Sequence, residues 1–290
     1  MRLAFLGTPE VAAGTLTALV GAGHEVAVVV TRPDKRRGRG LEVSPSPVKA
    51  AAVELGLPVV HRVEQALGVG ASLGVVVAYG RLVKPDALAQ LPMVNVHFSL
   101  LPRWRGAAPV ERAVLAGDAT TGVCLMKLEE GLDTGPVYAR RQVDIAATET
   151  VVQLRARLAA LGTSMLVQAL ADGLPEPVPQ QGQPTYADKV DVAELELDFS
   201  EPVELNMRRV RVGRAWTTLR GRRLIVHRAQ PVQAAGTERP LAPGELDGHF
   251  VGCGDGRLEL LEVQLEGKPS MAAAAWSRGA RVGAGERLGA

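Results

Sequence analysis

At 290 residues the chain exceeds one typical domain, so two domains are the first expectation, and with 47% apolar residues it has ample material for cores. Only 3% of residues are aromatic, which makes those cores aliphatic and argues against base stacking on single-stranded nucleic acid. The net charge of +2 is bland, and two cysteines, Cys124 and Cys253, lie in unrelated contexts, which excludes a disulfide scaffold and points to reduced thiols in a cytosolic protein.

The N-terminal run 2–6 reads as a strand stopped by Gly7, Thr8 and Pro9, too short for a signal peptide, and no other run is long enough to span a bilayer. A cytoplasmic protein is expected. A helix follows over 9–22, with proline early, where its missing N–H is tolerated. The β-branched run 26–31 reads as a buried strand. A basic loop comes next, then a helix over 47–55, short strands at 58–61 and 73–79, a helix at 85–90 and a strand at 93–97. This βαβα order predicts a parallel sheet covered by helices, with ligands beyond the carboxyl ends of its strands, where His97 falls.

A helix at 110–116, strands at 123–128 and 137–145 and a long helix over 151–171 complete the first part. Thr150 and Gln153 have capping-box spacing, and Leu154, Leu158, Leu161 and Met165 recur on one face. Pro175, Pro177, Pro179 and Pro184 then mark a connecting stretch within 172–200. The expected division is a first domain over 1–180, a linker over 181–200 and a second domain over 201–290. In that second part a helix at 202–210 precedes strand-like runs at 215–219, 223–228, 249–253 and 257–264, with a hairpin signal at Gly254, Asp255 and Gly256. The fold class predicted is α/β: a Rossmann-like first domain and a smaller OB-like β-barrel.

Charge is unevenly distributed. Between 205 and 237 there are eight arginines and no acidic residue, and Lys35, Arg36, Arg37 and Arg39 cluster in the earlier loop. Such clusters are the footprint of a polyanionic partner, although surface arginines alone would read the same way. No dinucleotide fingerprint or phosphate loop follows the first strand, because Thr8 and Pro9 stand where open backbone would be needed. His24, His61, His227 and His249 lack metal-type spacing, and no metal is expected. Asn95 and His97, two apart on a strand, share one face. Asp133 lies in a glycine-rich turn.

The segment Asn95-Val96-His97-Phe98-Ser99-Leu100-Leu101-Pro102, with the later Gly131-Leu132-Asp133-Thr134-Gly135, resembles the folate-dependent formyltransferases. Gly38-Arg39-Gly40, Pro45-Ser46-Pro47-Val48-Lys49, Arg103-Trp104-Arg105-Gly106 and Thr185-Tyr186-Ala187 extend the likeness, which is densest over 1–145. The resemblance implies catalytic roles for Asn95, His97 and Asp133, the donor 10-formyltetrahydrofolate and an amine acceptor. The implied acceptor is the α-amino group of initiator methionyl-tRNA, with a sugar nucleotide as the alternative. It implies a folate crevice at Val77, Ala78 and Tyr79 and at Ser99, Leu100, Leu101 and Pro102. It implies tRNA contacts from Arg36, Arg37 and Arg39 and from Arg208, Arg209, Arg211, Arg214, Arg222 and Arg223. A monomer is expected. The chemistry matches the residue types. Amine attack creates an oxyanion that needs hydrogen-bond donors in place beforehand, and the amine must lose a proton.

Overall fold

The computed structural model describes residues 1–37, 42–232, 239–283 and 285–289. The first part of the chain runs β1 (Arg2–Gly7), α1 (Glu10–Gly21), β2 (Glu25–Val30), β3 (Lys35–Arg37), β4 (Glu42–Ser44), α2 (Pro47–Glu54) and β5 (Val59–Val60). It continues through β6 (Leu73–Val77), α3 (Pro85–Gln90), β7 (Met93–His97), β8 (Arg105–Gly106), α4 (Pro109–Ala116), β9 (Thr120–Lys127), β10 (Val137–Asp144) and α5 (Val151–Asp172).

Seven of these strands form one sheet in the order β10-β9-β7-β6-β1-β2-β5. The five from β7 to β5 are parallel, but β9 runs antiparallel to both β7 and β10. The parallel sheet expected from the alternation is formed by those five strands, and an antiparallel pair extends it at one edge. The connection 128–136 is too short for the crossover that two parallel neighbours require. Chain order reverses between β1 and β6, which opens a crevice at their carboxyl ends beside Gly7 and Val77. A Cβ on Gly7 would lie 2.7 Å from the Cβ of Ala12, so only glycine permits this tight β1–α1 turn. Pro9 caps α1 from an extended conformation, and its carbonyl accepts the N–H groups of Ala12 and Ala13 at 3.0 and 3.2 Å. The helix therefore starts one residue later than its sequence suggests.

Helix α5 fixes the face on which the polar residues stand. Leu154 and Leu158 are fully buried as expected, but the buried ridge continues through Gly162, Leu166 and Leu170, leaving Leu161 and Met165 half-buried. Gly162 is the reason. A Cβ there would lie 2.6 Å from Cγ1 of Val96 and 3.1 Å from Cγ1 of Val123, so the bare backbone lets the helix settle onto β7 and β9. Val96 faces α5, and strand alternation sends Asn95 and His97 to the opposite side of the sheet.

The proline-rich stretch is anchored rather than open. Val137 and Val178 exchange backbone hydrogen bonds of 2.8 and 2.9 Å, and β11 (Tyr186–Ala187) pairs in parallel with β8.

The remaining elements are α6 (Val203–Val212), β12 (Ala215–Leu219), β13 (Arg222–Val232), β14 (Leu246–Asp247), β15 (Phe250–Cys253), β16 (Gly256–Leu265), β17 (Met271–Ala272) and α7 (Ala273–Ala280). They build a separate antiparallel sheet, ordered β12-β13-β16-β15-β14 with β17 beside β16. Irregular register in β13 around Arg228 bends the long strand, as a barrel-like sheet requires. Met207 and Val210 of α6 and Trp276 of α7 pack with Leu224, Val226, Leu258 and Leu260 in its core. Sequence periodicity did not announce α7, whose alanine-rich segment carries few apolar anchors. By backbone contacts the chain forms two units. The first is Met1–Val110, Ala119–Ile145 and Gln153–Asp188, and the second is Glu111–Asp118, Ala146–Val152 and Lys189–Ala290.

Candidate active site

His97 closes β7 and Asn95 lies two residues before it, only 5% and 9% exposed. Across the antiparallel pair, His97 faces Cys124 and Asn95 faces Met126. Cys124 and Met126 join Leu101 and Val137 in a small buried apolar cluster. Burial pushes the Cys124 thiol up, so it stays protonated beside the histidine and supplies no thiolate.

Nε2 of His97 lies 2.9 Å from the carbonyl oxygen of Trp104. A carbonyl can only accept, so Nε2 carries the proton in this bond, and the neutral ring has its lone pair on Nδ1. Nδ1 is 3.7 Å from Oδ2 of Asp133, beyond a hydrogen bond but well within electrostatic reach. The same Oδ2 accepts the backbone N–H of Gly106 at 2.8 Å. The structure thus brings His97 and Asp133 together, with Asn95 on the same strand face.

Backbone strain surrounds these groups. Ala78, Trp104 and Asp133 have φ of +46°, +63° and +50°, a region that costs a side chain about 1–3 kcal/mol. Sequence reasoning did not single out what holds them there. The N–H of Trp104 donates to Oγ1 of Thr185 at 2.9 Å, and the N–H of Arg105 to the Thr185 carbonyl at 2.9 Å. Gln180 connects the side chain of Arg105 to the backbone of the Asp133 turn. The wording Thr185-Tyr186-Ala187 was the available signal for the first contact, whereas a single glutamine among prolines gave none.

The residues expected at a folate crevice divide into two groups. Side chains of Val77, Tyr79, Ser99 and Leu101 are buried in the fold. Tyr79 packs among Leu6, Val30 and Val83, and the Ser99 hydroxyl donates to the Arg103 carbonyl at 2.6 Å. Ala78 is exposed at the end of β6, and Leu100 and Pro102 are half-exposed. Surfaces open to a ligand there are the backbone beyond Val77 and the side chains of Leu100 and Pro102.

Arg36 and Arg37 belong to β3, which pairs with β4, and Arg39 lies outside the described residues. In the second unit the arginines differ. Arg214, Arg222 and Arg223 are exposed, with Arg223 stacked 4.0 Å over the Trp216 ring. Arg208 bonds Glu204 and the Ala116 carbonyl, and Arg209 pairs with Glu201. Arg211 stands apart. It is 7% exposed, and its guanidinium holds the carbonyls of Glu149 and Ala146 at 2.9 and 3.0 Å, which withholds it from a surface ligand. Among the described residues no group of three or more His, Cys, Asp or Glu could hold a metal ion, and no helix is long and apolar enough to cross a membrane.

Residues 1–170 match the formyl transferase family model and residues 189–281 match the formyl transferase C-terminal domain. The chain belongs to the formyl transferases. Within them it groups with the methionyl-tRNA formyltransferases. It is 46% identical to the methionyl-tRNA formyltransferase of Roseobacter denitrificans, covering 97% of both chains. It is 42% identical to that of Ruegeria pomeroyi, over 99% of this chain and 100% of the relative. A Helicobacter canadensis N-formyltransferase, solved with folinic acid and dTDP-3-aminofucose, superposes with a TM-score of 0.69 over 93% of this chain and all of its own. At 14% identity that likeness is one of fold.

Proposed function

We propose that this enzyme transfers the formyl group of 10-formyltetrahydrofolate to the α-amino group of initiator methionyl-tRNA, for translation initiation in the cytoplasm. The observation that carries this is full-length identity above 40% to methionyl-tRNA formyltransferases, in a chain whose β7 end sets His97 beside Asp133.

The amine lone pair attacks the formyl carbon, and the carbonyl π electrons move onto oxygen. The Asn95 amide donates to that oxyanion as charge develops. His97 takes the amine proton on Nδ1, the nitrogen left open by the bond from Nε2 to Trp104. The Asp133 carboxylate, fixed by the Gly106 N–H, steadies the resulting imidazolium. The intermediate then collapses, the bond to the folate N10 breaks, and N10 receives a proton, releasing tetrahydrofolate and formylmethionyl-tRNA. The chemistry calls for no metal.

The folate lies against Ala78, Leu100 and Pro102 and the backbone of Val77, Tyr79, Ser99 and Leu101. Arg36, Arg37 and Arg39 approach the acceptor stem. Arg208, Arg209, Arg214, Arg222 and Arg223 meet phosphates, which position the tRNA without reading bases. In this division residues 1–180 are the catalytic domain, 181–200 the linker and 201–290 the tRNA-binding domain, and the protein acts as a monomer. Incubation with methionyl-tRNA and 10-formyltetrahydrofolate tests the proposal. Formyl transfer to a dTDP-amino sugar with none to methionyl-tRNA would overturn it.

A further inference from the structure

We infer that Gln180 is a positioning residue for the reaction: its carboxamide, together with Arg105, sets the Asp133 carboxylate against His97. The inference rests on the function proposed above and concerns how its catalytic geometry is held.

All the hydrogen-bonding capacity of the Gln180 amide is engaged within one network. Nε2 donates to the carbonyl oxygens of Asp133 and Gly135, each at 2.8 Å. Oε1 accepts Nε and Nη2 of Arg105 at 3.1 and 2.7 Å. Two carbonyls on one side and a guanidinium on the other fix which end of the amide is nitrogen, because the reverse orientation would oppose acceptor to acceptor and donor to donor. The two carbonyls bracket the turn in which Asp133 holds a φ of +50°. That conformation persists only where its surroundings impose it. Gly135 adds a second constraint, since its backbone lies too close to the Lys127 carbonyl to admit a side chain.

Arg105 contributes at both ends. Its side chain ends on Gln180, while its own chain continues into Gly106, whose N–H donates to Oδ2 of Asp133. A closed circuit results: from Asp133 through Gln180 to Arg105, along the backbone to Gly106, and back to the carboxylate. Both coordinates of the turn are thereby set, its backbone by Gln180 and its side chain by Gly106. The 3.7 Å separation between the carboxylate and Nδ1 of His97 follows from that circuit.

Gln180→Ala and Gln180→Glu separate positioning from simple support. Glutamate keeps the contact to Arg105 and strengthens it with charge, yet it cannot donate to the carbonyls of Asp133 and Gly135 and repels them instead. If Gln180 served only to hold Arg105, Gln180→Glu would behave as wild type. A positioning role predicts that both variants lose kcat, by up to about 10²-fold as expected for ångström-scale misplacement, with KM for tRNA and folate changed far less. Melting curves establish that each variant is folded. Wild type assayed alongside tests the functional proposal by itself. Independently of any substrate, a crystal structure of Gln180→Ala reads the position of Asp133. An unchanged separation between the Asp133 carboxylate and Nδ1 of His97 in Gln180→Ala, or a Gln180→Glu kcat within twofold of wild type, overturns the inference.

Discussion

His97 has one ring nitrogen committed to Trp104 and one left for chemistry, and that asymmetry makes its neighbours separable by mutation. Replacing Asn95, the oxyanion donor, or His97, the proton acceptor, by alanine should lower kcat by about 10²–10³-fold, while tRNA affinity changes little. Asp133→Asn should be informative in another way. The amide oxygen can still accept the Gly106 N–H, so the turn survives while the charge is gone. Near-normal turnover in that variant would remove Asp133 charge from the mechanism. Arg211 belongs to stability. Arg211→Leu removes both guanidinium bonds, while the Ala146 carbonyl keeps the Glu149 N–H at 3.0 Å, so the expected cost is about 1–3 kcal/mol, read as a lower midpoint in urea, with KM for tRNA near wild type once folded. At this scale Asn95, His97 and Asp133 stood out in the sequence because unusual side chains occupied patterned positions. Gln180 was not visible, since its partners lie far along the chain and no local spacing encodes them, and Thr185 was marked only by its Thr-Tyr-Ala wording, which does not say what it holds. The burial of Arg211 was not legible for a related reason: charge in a sequence carries no mark of burial.

At the scale of elements, two features lend themselves to test. Alanine in place of glycine within a helix ordinarily stabilises by about 1 kcal/mol. Gly162→Ala should do the reverse, because its Cβ would press on Val96 and Val123, and overpacking costs about 1–3 kcal/mol. Loss of kcat should accompany the lower melting temperature, since the pressed strand carries Asn95 and His97. Within the second unit, Arg112 holds the Glu194 carboxyl below its usual 4.5, with a bond of 3.0 Å from Nη2 to Oε1. A depressed carboxylate contributes stability above its unfolded pKa, and that contribution fades as pH falls through the folded value. Solvent exposure keeps it small, at most about 1 kcal/mol. Glu194→Gln should therefore melt slightly lower at pH 7 and converge with wild type in acid, as pH falls through the lowered folded pKa. A gap that persisted in acid would assign the effect to packing. Most elements were legible from alternating apolar runs and turn residues. The antiparallel edge was not, because β9 reads the same in either direction, and α7 lacked a periodic stripe.

For the molecule as a whole, the exposed arginines distinguish a tRNA acceptor from a sugar nucleotide. Replacing Arg214, Arg222 and Arg223 together by alanine should raise KM for tRNA while preserving turnover at saturation. Each lost phosphate contact should also flatten the slope of log K against log salt by roughly 0.7–0.9. An unchanged slope would assign those arginines another task and reopen the sugar-nucleotide alternative.

The anchoring of residues 178–187 bears on when a newly made molecule becomes an enzyme. Translation supplies roughly 5–20 residues per second, and the last strand of the large sheet ends at Asp144. Thr185 and Gln180, which secure Trp104 and the Asp133 turn, emerge only after the whole of α5. A chain stalled after Asp172 should therefore possess its strands yet form no formylated product, whereas one released past Asp188 can complete the turn. Catalytic competence arrives last in the maturation of this unit, as the closing stitch on a sheet already laid down.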